Sequence, residues 1–248
     1  MEVRKLWVQE VMCLLSTSMI VNTSVNTSRE PNVKNTTQSS IYLPEYPSGK
    51  AVDGCKTQIF DSNNCCSHTQ TGQKEAWWQV DLEELIMMEH VKIYYRGKKY
   101  DQDYEQRQRF GGFQIYQSNT SDWRNGYLCY KDTTSTSAAL SLIPQIPCTG
   151  SAQYLTIYSD RRSGGLEWYS TNAYLELCEV EVYGCPLGKY GDDNCDSECG
   201  VGCANGLCDP VTGKCASCTP GYYGSHCNQT CPFNCKDNRC MQSNGKCE

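Results

Sequence analysis

The chain has 248 residues, enough for one large domain or two smaller ones, and includes 19 cysteines. So many cysteines are typical of an oxidising compartment, so we expect a secreted, extracellular protein. A net charge of −6 at pH 7, without a lysine- or arginine-rich run, argues against a nucleic-acid partner. Three histidines leave little room for a zinc cluster or a hydrolytic site, so we do not expect an enzyme.

The N-terminal residues have the layout of a secretory signal. Arg4 and Lys5 precede an apolar stretch at residues 11–21, so we predict a signal peptide and N-terminal tail at residues 1–24. Its removal discards Cys13 and leaves the other 18 cysteines, an even number that can all pair. A buried or interfacial helix is the alternative interpretation. The chain contains no apolar run of about 18 residues, so the sequence predicts no transmembrane segment.

Cysteine density divides the rest of the chain near residue 185. Residues 32–184 contain six cysteines, whereas residues 185–248 contain twelve. From Cys195 the gaps between cysteines are 4, 4, 5 and 7, and the same gaps recur 32 residues later from Cys227. We therefore predict a folded domain at 32–185 and a repetitive tail at 185–248 that depends on cross-links. A zinc ribbon is the alternative for the tail, and it is disfavoured because His226 is the tail's sole histidine.

Short alternating or aromatic-rich runs predict strands in the first region. They lie at residues 77–82, 91–95, 113–116, 154–158 and 174–182, with turn-forming glycines between them. A helical period occurs only at residues 82–88. The pattern predicts an all-β domain, an antiparallel β-sandwich of the jelly-roll type, whose end loops can hold a ligand.

The order of short motifs in this region is more specific than the strand pattern. The motifs are NVKNTTQSS at 32–40, KAVDG at 50–54, CSHT at 66–69, WWQVDL at 77–82, RFGGFQI at 109–115 and LCEVEVYG at 177–184. In order and rough spacing they resemble the F-type lectin (fucolectin) family, a relative of the coagulation factor V/VIII type C domains, over residues 32–185. The resemblance implies a non-catalytic jelly roll that holds a structural calcium ion and binds fucose in a loop pocket.

The resemblance places the calcium ion between the loop at residues 50–55 and the last strand. Asp53 and Glu179 would supply side-chain oxygens, which are the donors that calcium prefers. Backbone carbonyl oxygens would come from Lys50, Cys55, Cys65 and Cys178. The alternative is that Asp53 only stabilises a turn and that Glu179 is a solvated strand residue.

The family binds its sugar with one histidine and two arginines, which match His68, Arg96 and Arg109. Arginine holds several N–H donors in one plane, an arrangement that suits the ring oxygen and hydroxyl groups of a neutral sugar. The alternative is a structural histidine and two solvated charges on a loop.

The loop between the two arginines departs from the family pattern. The family's Arg-x-Asp step becomes Arg96-Gly-Lys98, the neighbouring cysteine pair is absent, and the loop is longer. We hypothesise that an acid of this loop replaces the lost aspartate and that a tyrosine of the loop forms the wall of the pocket. The candidates are Asp101 and Asp103 for the acid, and Tyr100 and Tyr104 for the wall.

A second resemblance concerns the tail, which is similar to about one and a half EGF-like repeats of the multiple-EGF and scavenger-receptor type. Together the two resemblances imply nine disulfide bonds. These are Cys55–Cys65, Cys66–Cys178 and Cys129–Cys148 in the first region, and Cys185–Cys195, Cys199–Cys208, Cys203–Cys215, Cys218–Cys227, Cys231–Cys240 and Cys235–Cys247 in the tail. The implied fold is thus a jelly roll followed by small disulfide-rich EGF-like modules.

The expected function is that of a secreted, calcium-dependent lectin for fucosylated glycans or similar deoxysugars. Five Asn-x-Ser/Thr sequons fit a secreted glycoprotein: Asn22, Asn26, Asn35, Asn119 and Asn228. A single weak site would need several copies for useful avidity, for example in a homo-oligomer. The alternative function is a protein- or phospholipid-binding adhesion ectodomain that has lost the sugar, which the altered Arg96-Gly-Lys98 step favours.

Overall fold

The computed structural model describes residues 34–59, 65–98, 103–191 and 194–248. The predicted signal peptide, the sequons Asn22 and Asn26, and the loop residues Tyr100 and Asp101 lie outside these ranges. Within them, no helix is both long enough and apolar enough to cross a membrane.

Six antiparallel strands form the first region. They are β1 (Thr36–Gln38), β2 (Glu75–Tyr95), β3 (Gln114–Ser118), β4 (Tyr127–Lys131), β5 (Gln145–Asp160) and β6 (Leu177–Pro186). The hydrogen-bonded order is β1-β2-β5-β3-β4, and β6 pairs with the second half of β2. The prediction of an all-β antiparallel sandwich is confirmed.

Two long strands that bend together produce the sandwich. β2 pairs with β5 up to Asp81 and again from Ile86 onward. The residues of β2 between Asp81 and Ile86 form a bulge around Glu83, whose φ is 70°. Just before β2, Gln73 O accepts a hydrogen bond from Ala173 N; just after β2, Arg96 N donates to Glu176 O. Both ends of β2 therefore meet the same short stretch before β6, at one end of the sandwich.

The core lies between the two halves of the bent sheet. Trp78, Tyr95, Phe110 and Phe113 are fully buried, and the last three rings stack with centroids 4.2 and 4.1 Å apart. Burying a large apolar side chain contributes about 1.5–3 kcal/mol. The Trp78 indole Nε1 donates to Ser48 O at 2.9 Å, which satisfies the polar atom of this buried ring. This core fixes the positions of the loops at the sandwich end.

The helical pattern at residues 82–88 was misleading, because the segment is the bend and second part of β2. Leu82, Ile86 and Met88 are buried there in the sheet instead of forming a helical face. Among the described residues of this region, the α-helix is α1 (Tyr104–Phe110), in the long loop between the two arginines. It turns Gln106 and Phe110 inward, one helical turn apart.

The tail repeats its structure as it repeats its cysteines. Strands β7 (Lys189–Tyr190) and β8 (Ser197–Glu198) form one hairpin, and β9 (Tyr222–Tyr223) and β10 (Gln229–Thr230) form another. Gly213 and Gly245 have φ near +70°, and a Cβ at either would approach a tyrosine ring to 2.7 Å. The structure contains all nine disulfide bonds that the resemblances imply, six of them in this disulfide-rich region.

Candidate functional site

The three residues matched to sugar binding converge on one buried carboxylate at the end of the sandwich. His68 Nε2 lies 2.8 Å from Glu176 Oε1, and Arg109 Nη1 lies 3.0 Å from the same oxygen. Arg96 Nη1 donates to this oxygen as well. Glu176 is fully buried, whereas the two arginine side chains keep 16% and 19% of their surface exposed. The arginines are therefore not solvated charges, although each still reaches the surface.

Backbone pairing explains why these distant residues meet. Ser67 N donates to Leu177 O and Thr69 N donates to Leu175 O, so the segment around His68 runs beside the segment around Glu176. The disulfide bond between Cys66 and Cys178 links the same two segments. Arg96 follows directly after β2, and Arg109 lies in the last turn of α1. Four separate segments thus contribute one side chain each.

The electrostatics of this cluster keep Glu176 ionised. Burial raises the pKa of Glu176, but the hydrogen bond and charge of His68 and the charges of Arg96 and Arg109 lower it to about 2. His68 Nδ1 lies 2.5 Å from Thr69 O, and its Nε2 faces Glu176 Oε1. The imidazole therefore lies between a backbone carbonyl and the carboxylate. Three basic side chains thus surround one carboxylate.

Aromatic rings flank the cluster on two sides. The Tyr42 ring stacks on His68 with centroids 4.7 Å apart, and the Arg109 guanidinium lies 4.6 Å from the centroid of Tyr174. Tyr42 is 42% exposed, so one part of its ring faces solvent. Apolar ring faces beside fixed N–H donors are a combination that suits the C–H and hydroxyl groups of a sugar.

The structure places Asp103 on groups other than Arg96 and Arg109, whereas the hypothesised wall role of Tyr104 stays a prediction. Asp103 accepts from Lys98 N at 2.5 Å and lies 4.0 Å from Arg107, so it orders the loop. Tyr104 is 59% exposed. Among the described residues, the carboxylates paired with Arg96 and Arg109 are that of Glu176 and, for Arg109, that of Glu105 one helical turn earlier. The contact of Glu105 with Arg109 could have been predicted from the sequence, because the two residues have the i, i+4 spacing of an ion pair on a helix.

The predicted calcium ligands Asp53 and Glu179 lie on either side of one short turn. Asp53 Oδ1 accepts from Cys55 N at 3.0 Å, an arrangement that also stabilises the turn. Glu179 is fully buried, unlike a solvated strand residue, and its Oε2 accepts from Gly54 N at 3.0 Å. Lys50 Nζ lies 3.4 Å from Asp53 Oδ2, and its side chain is 32% exposed.

These groups fit a calcium ion by the chemistry of the donor set. Two carboxylates and the carbonyl oxygens of the same segments are hard oxygen donors, which calcium binds in sets of about six to eight. The disulfide bond Cys66–Cys178 places Glu179 beside the segment that carries Cys65. The four carbonyl groups named from the sequence, those of Lys50, Cys55, Cys65 and Cys178, all belong to described residues.

We expect the sandwich to lose stability in acid as Glu176 takes up a proton. Its folded-state pKa of about 2 lies below the ordinary value of 4.5, so the unfolded chain binds the proton first as the pH falls. The stabilisation is complete above about pH 4.5 and is lost between about pH 4.5 and 2. The Tm of the wild type, measured across this range, should fall more steeply than that of Glu176→Gln. Parallel curves for the two proteins would contradict the assignment.

Comparisons with known proteins concern the β-sandwich as a whole. Residues 50–157 match the family model of the NedA-like, galactose-binding domain. A pentraxin fusion protein of Xenopus laevis is 26% identical over 169 residues, which are 64% of this chain and 34% of the relative. The crystal structure of a fucolectin from the serum of striped bass, Morone saxatilis, is 26% identical with a TM-score of 0.50. That match covers 66% of this chain and 49% of the bass chain.

This chain therefore spans about a third of the curated relative and half of the solved lectin. Its β-sandwich is similar in fold to the solved lectin, and part of it matches the model of a galactose-binding domain. The match to the family model covers both sugar-site arginines and His68 but ends before Glu176.

Proposed function

We propose that this protein is a secreted, non-catalytic, calcium-dependent lectin that binds a terminal fucose or a similar deoxysugar. The convergence of His68, Arg96 and Arg109 on the buried Glu176 is the observation that carries the proposal. Similarity to a fucolectin supports the choice of sugar. Nine disulfide bonds support an extracellular location, and six of them support EGF-like repeats in the tail.

In this mechanism Glu176 holds the donors in place before the sugar arrives. Its Oε1 accepts from both guanidinium groups, so their remaining N–H donors keep a fixed direction toward the ring oxygen and hydroxyl groups. Because these side chains are ordered in advance, binding costs less conformational entropy. The rings of Tyr42 and Tyr174 would contact the apolar edge of a deoxysugar. A single site of this kind is expected to bind with a Kd of about 1 mM to 1 μM.

The bound calcium ion would cross-link the turn at Asp53 to strand β6. Glu179 lies three residues after Glu176 along the chain, so a change at the metal site would reach the sugar site through one short segment. Asp53 and Glu179 would supply the carboxylates, and the carbonyl groups of Lys50, Cys55, Cys65 and Cys178 would add oxygen donors.

Glu176 also bears on the adhesion alternative. The Arg96-Gly-Lys98 step suggested a lost sugar site because the family's aspartate is missing. A carboxylate from the segment before β6 takes over that contact with both arginines. This contact supports sugar binding over the adhesion alternative.

Retention on fucose-agarose in the presence of calcium tests the proposal. We expect Arg109→Ala to weaken binding about ten- to a hundredfold, because each hydrogen bond from a charged group contributes about 1.5–3 kcal/mol. Arg124→Ala is the matched control, since Arg124 is 60% exposed and its partner is Glu75. EDTA should lower both retention and Tm. Retention that is absent in the wild type, or unchanged by Arg109→Ala, would contradict sugar binding; a Tm unaffected by EDTA would contradict the calcium site.

A further inference from the structure

A second concave site lies beside the Glu176 cluster, at the same end of the sandwich. It encloses about 450 Å³ between the start of β3, the end of β4 and the loop that follows β5. Pockets that hold small ligands have volumes of about 300–1,000 Å³. The residues that matter for its chemistry are Lys131, Asp132, Thr133, Arg161, Ser163 and Tyr169.

One wall of this cleft is an aromatic ring held rigidly by glycines. A Cβ at Gly112 would approach the Tyr169 ring to 2.6 Å, and a Cβ at Gly165 would approach it to 2.5 Å. Only glycine at both positions lets the ring lie this close to the backbone. The Arg161 guanidinium packs 5.0 Å from the centroid of the same ring. The ring is thus ordered without a ligand, so binding against it costs little entropy.

The charges of the cleft favour a neutral ligand. Lys131 and Arg161 face two carboxylates, Asp132 and Asp160, so the lining has no excess of either sign. Arg161 is 6% exposed and donates to the carbonyl oxygens of Arg109 and Gly111, and it therefore serves as a framework group. The exposed groups at the rim are the hydroxyls of Thr133 and Ser163 and the ammonium of Lys131. Hydrogen-bonding groups beside an aromatic wall suit a polyhydroxy compound.

The cleft and the Glu176 cluster are adjacent. Arg109 belongs to the cluster and Gly112 lines the cleft, and three residues of chain span at most about 11 Å. The connection between β5 and β6 borders both sites, with Tyr169 in the cleft and Tyr174 against Arg109. A ligand longer than one sugar ring could therefore contact both.

We propose that this cleft is a second carbohydrate subsite, which takes a neutral sugar ring beyond the terminal deoxysugar, so that the domain recognises an oligosaccharide. The proposal rests on the proposed function for the identity of the first sugar. Tyr169 would supply the stacking face, and the rim groups of Lys131 and Thr133 would donate to hydroxyls.

Calorimetric titration with L-fucose and with a fucose-terminated trisaccharide tests the subsite in the calcium-loaded full chain. Thr133→Trp fills the cleft, and Lys131→Ala removes a rim donor; both residues are exposed, so the fold should persist with an unchanged Tm. We expect Thr133→Trp to raise the Kd of the trisaccharide at least fivefold while changing the Kd of L-fucose less than twofold. Ser135→Trp, on an exposed neighbour outside the cleft, should change neither. Trisaccharide binding that is insensitive to both cleft variants would overturn the subsite.

A glycan array with the same proteins separates failure of the subsite from failure of the proposed function. If the wild type ignores fucosides but retains another neutral oligosaccharide that Thr133→Trp abolishes and Arg109→Ala leaves bound, the cleft is a sugar site and the fucose proposal is wrong. If no signal on the array depends on the cleft variants, the subsite is wrong whatever happens to L-fucose.

Discussion

Replacing Glu176 with glutamine should lower the free energy of unfolding by about 3–5 kcal/mol, the cost of removing one partner from a buried ionic cluster. The carboxylate is fully buried and faces His68, Arg96 and Arg109, whose charges would lose their shared counterion. Urea denaturation followed by tryptophan fluorescence measures this change mainly in the sandwich, because four of the five tryptophans lie at residues 77–168 and none lies in the tail. The same substitution should abolish retention on fucose-agarose.

Glu105→Gln is the matched control for this variant. Glu105 also contacts Arg109, but its side chain is 48% exposed, and exposed ion pairs contribute only about 0–1 kcal/mol. A loss for Glu176→Gln no larger than that for Glu105→Gln would show that the cluster does not stabilise the fold.

Removing the disulfide bond Cys66–Cys178 by a double alanine substitution should lower the free energy of unfolding by about as much as Glu176→Gln does. The bond joins residues 112 apart in sequence, and in the chain-entropy model closing such a loop is worth about 4.8 kcal/mol. The loss should extend to function, because the bond links the segments that carry His68 and Glu176. We expect a lower urea midpoint together with weaker fucose retention.

The bond Cys129–Cys148 provides the comparison. It closes a separation of only 19 residues, for which the same model gives about 3.2 kcal/mol, and it lies in β4 and β5, away from the Glu176 cluster. Its removal should leave fucose retention intact. If the two double variants lost equal stability and equal sugar binding, the long-range bond would have no special role at the site.

The strands could be predicted from the sequence because half-buried strands alternate apolar and polar residues. Their extents could not: the runs at 77–82 and 91–95 belong to one 21-residue strand, β2. The polar bulge around Glu83 looks like a break between two strands, and only pairing with β5 on both sides of it makes the strand continuous. The seven-residue helix α1 is too short for a periodic signal to stand out from its loop.

The residues of the candidate site also fall into those that the sequence could predict and one that it could not. His68, Arg96 and Arg109 could be named because they fall in motifs of a known order, whereas Glu176 lies between Leu175 and Leu177 and resembles the solvent-facing acid of an alternating strand. Alternating apolar and polar residues indicate a strand with one buried face and one solvent-exposed face. This indication fails for Glu176 because three basic side chains from other segments cover that face.

By itself the sequence determined the class of the fold, and it predicted the separation of an aromatic-rich domain from a cross-linked tail and the motif residues of a candidate sugar site. These are local properties, since strand alternation, cysteine spacing and motif order are visible along a single stretch of chain. Only the tertiary structure decided which carboxylate pairs with the two arginines and that a cleft lies beside them. Burial and charge pairing depend on which distant segments fold against each other, and no local pattern carries that information.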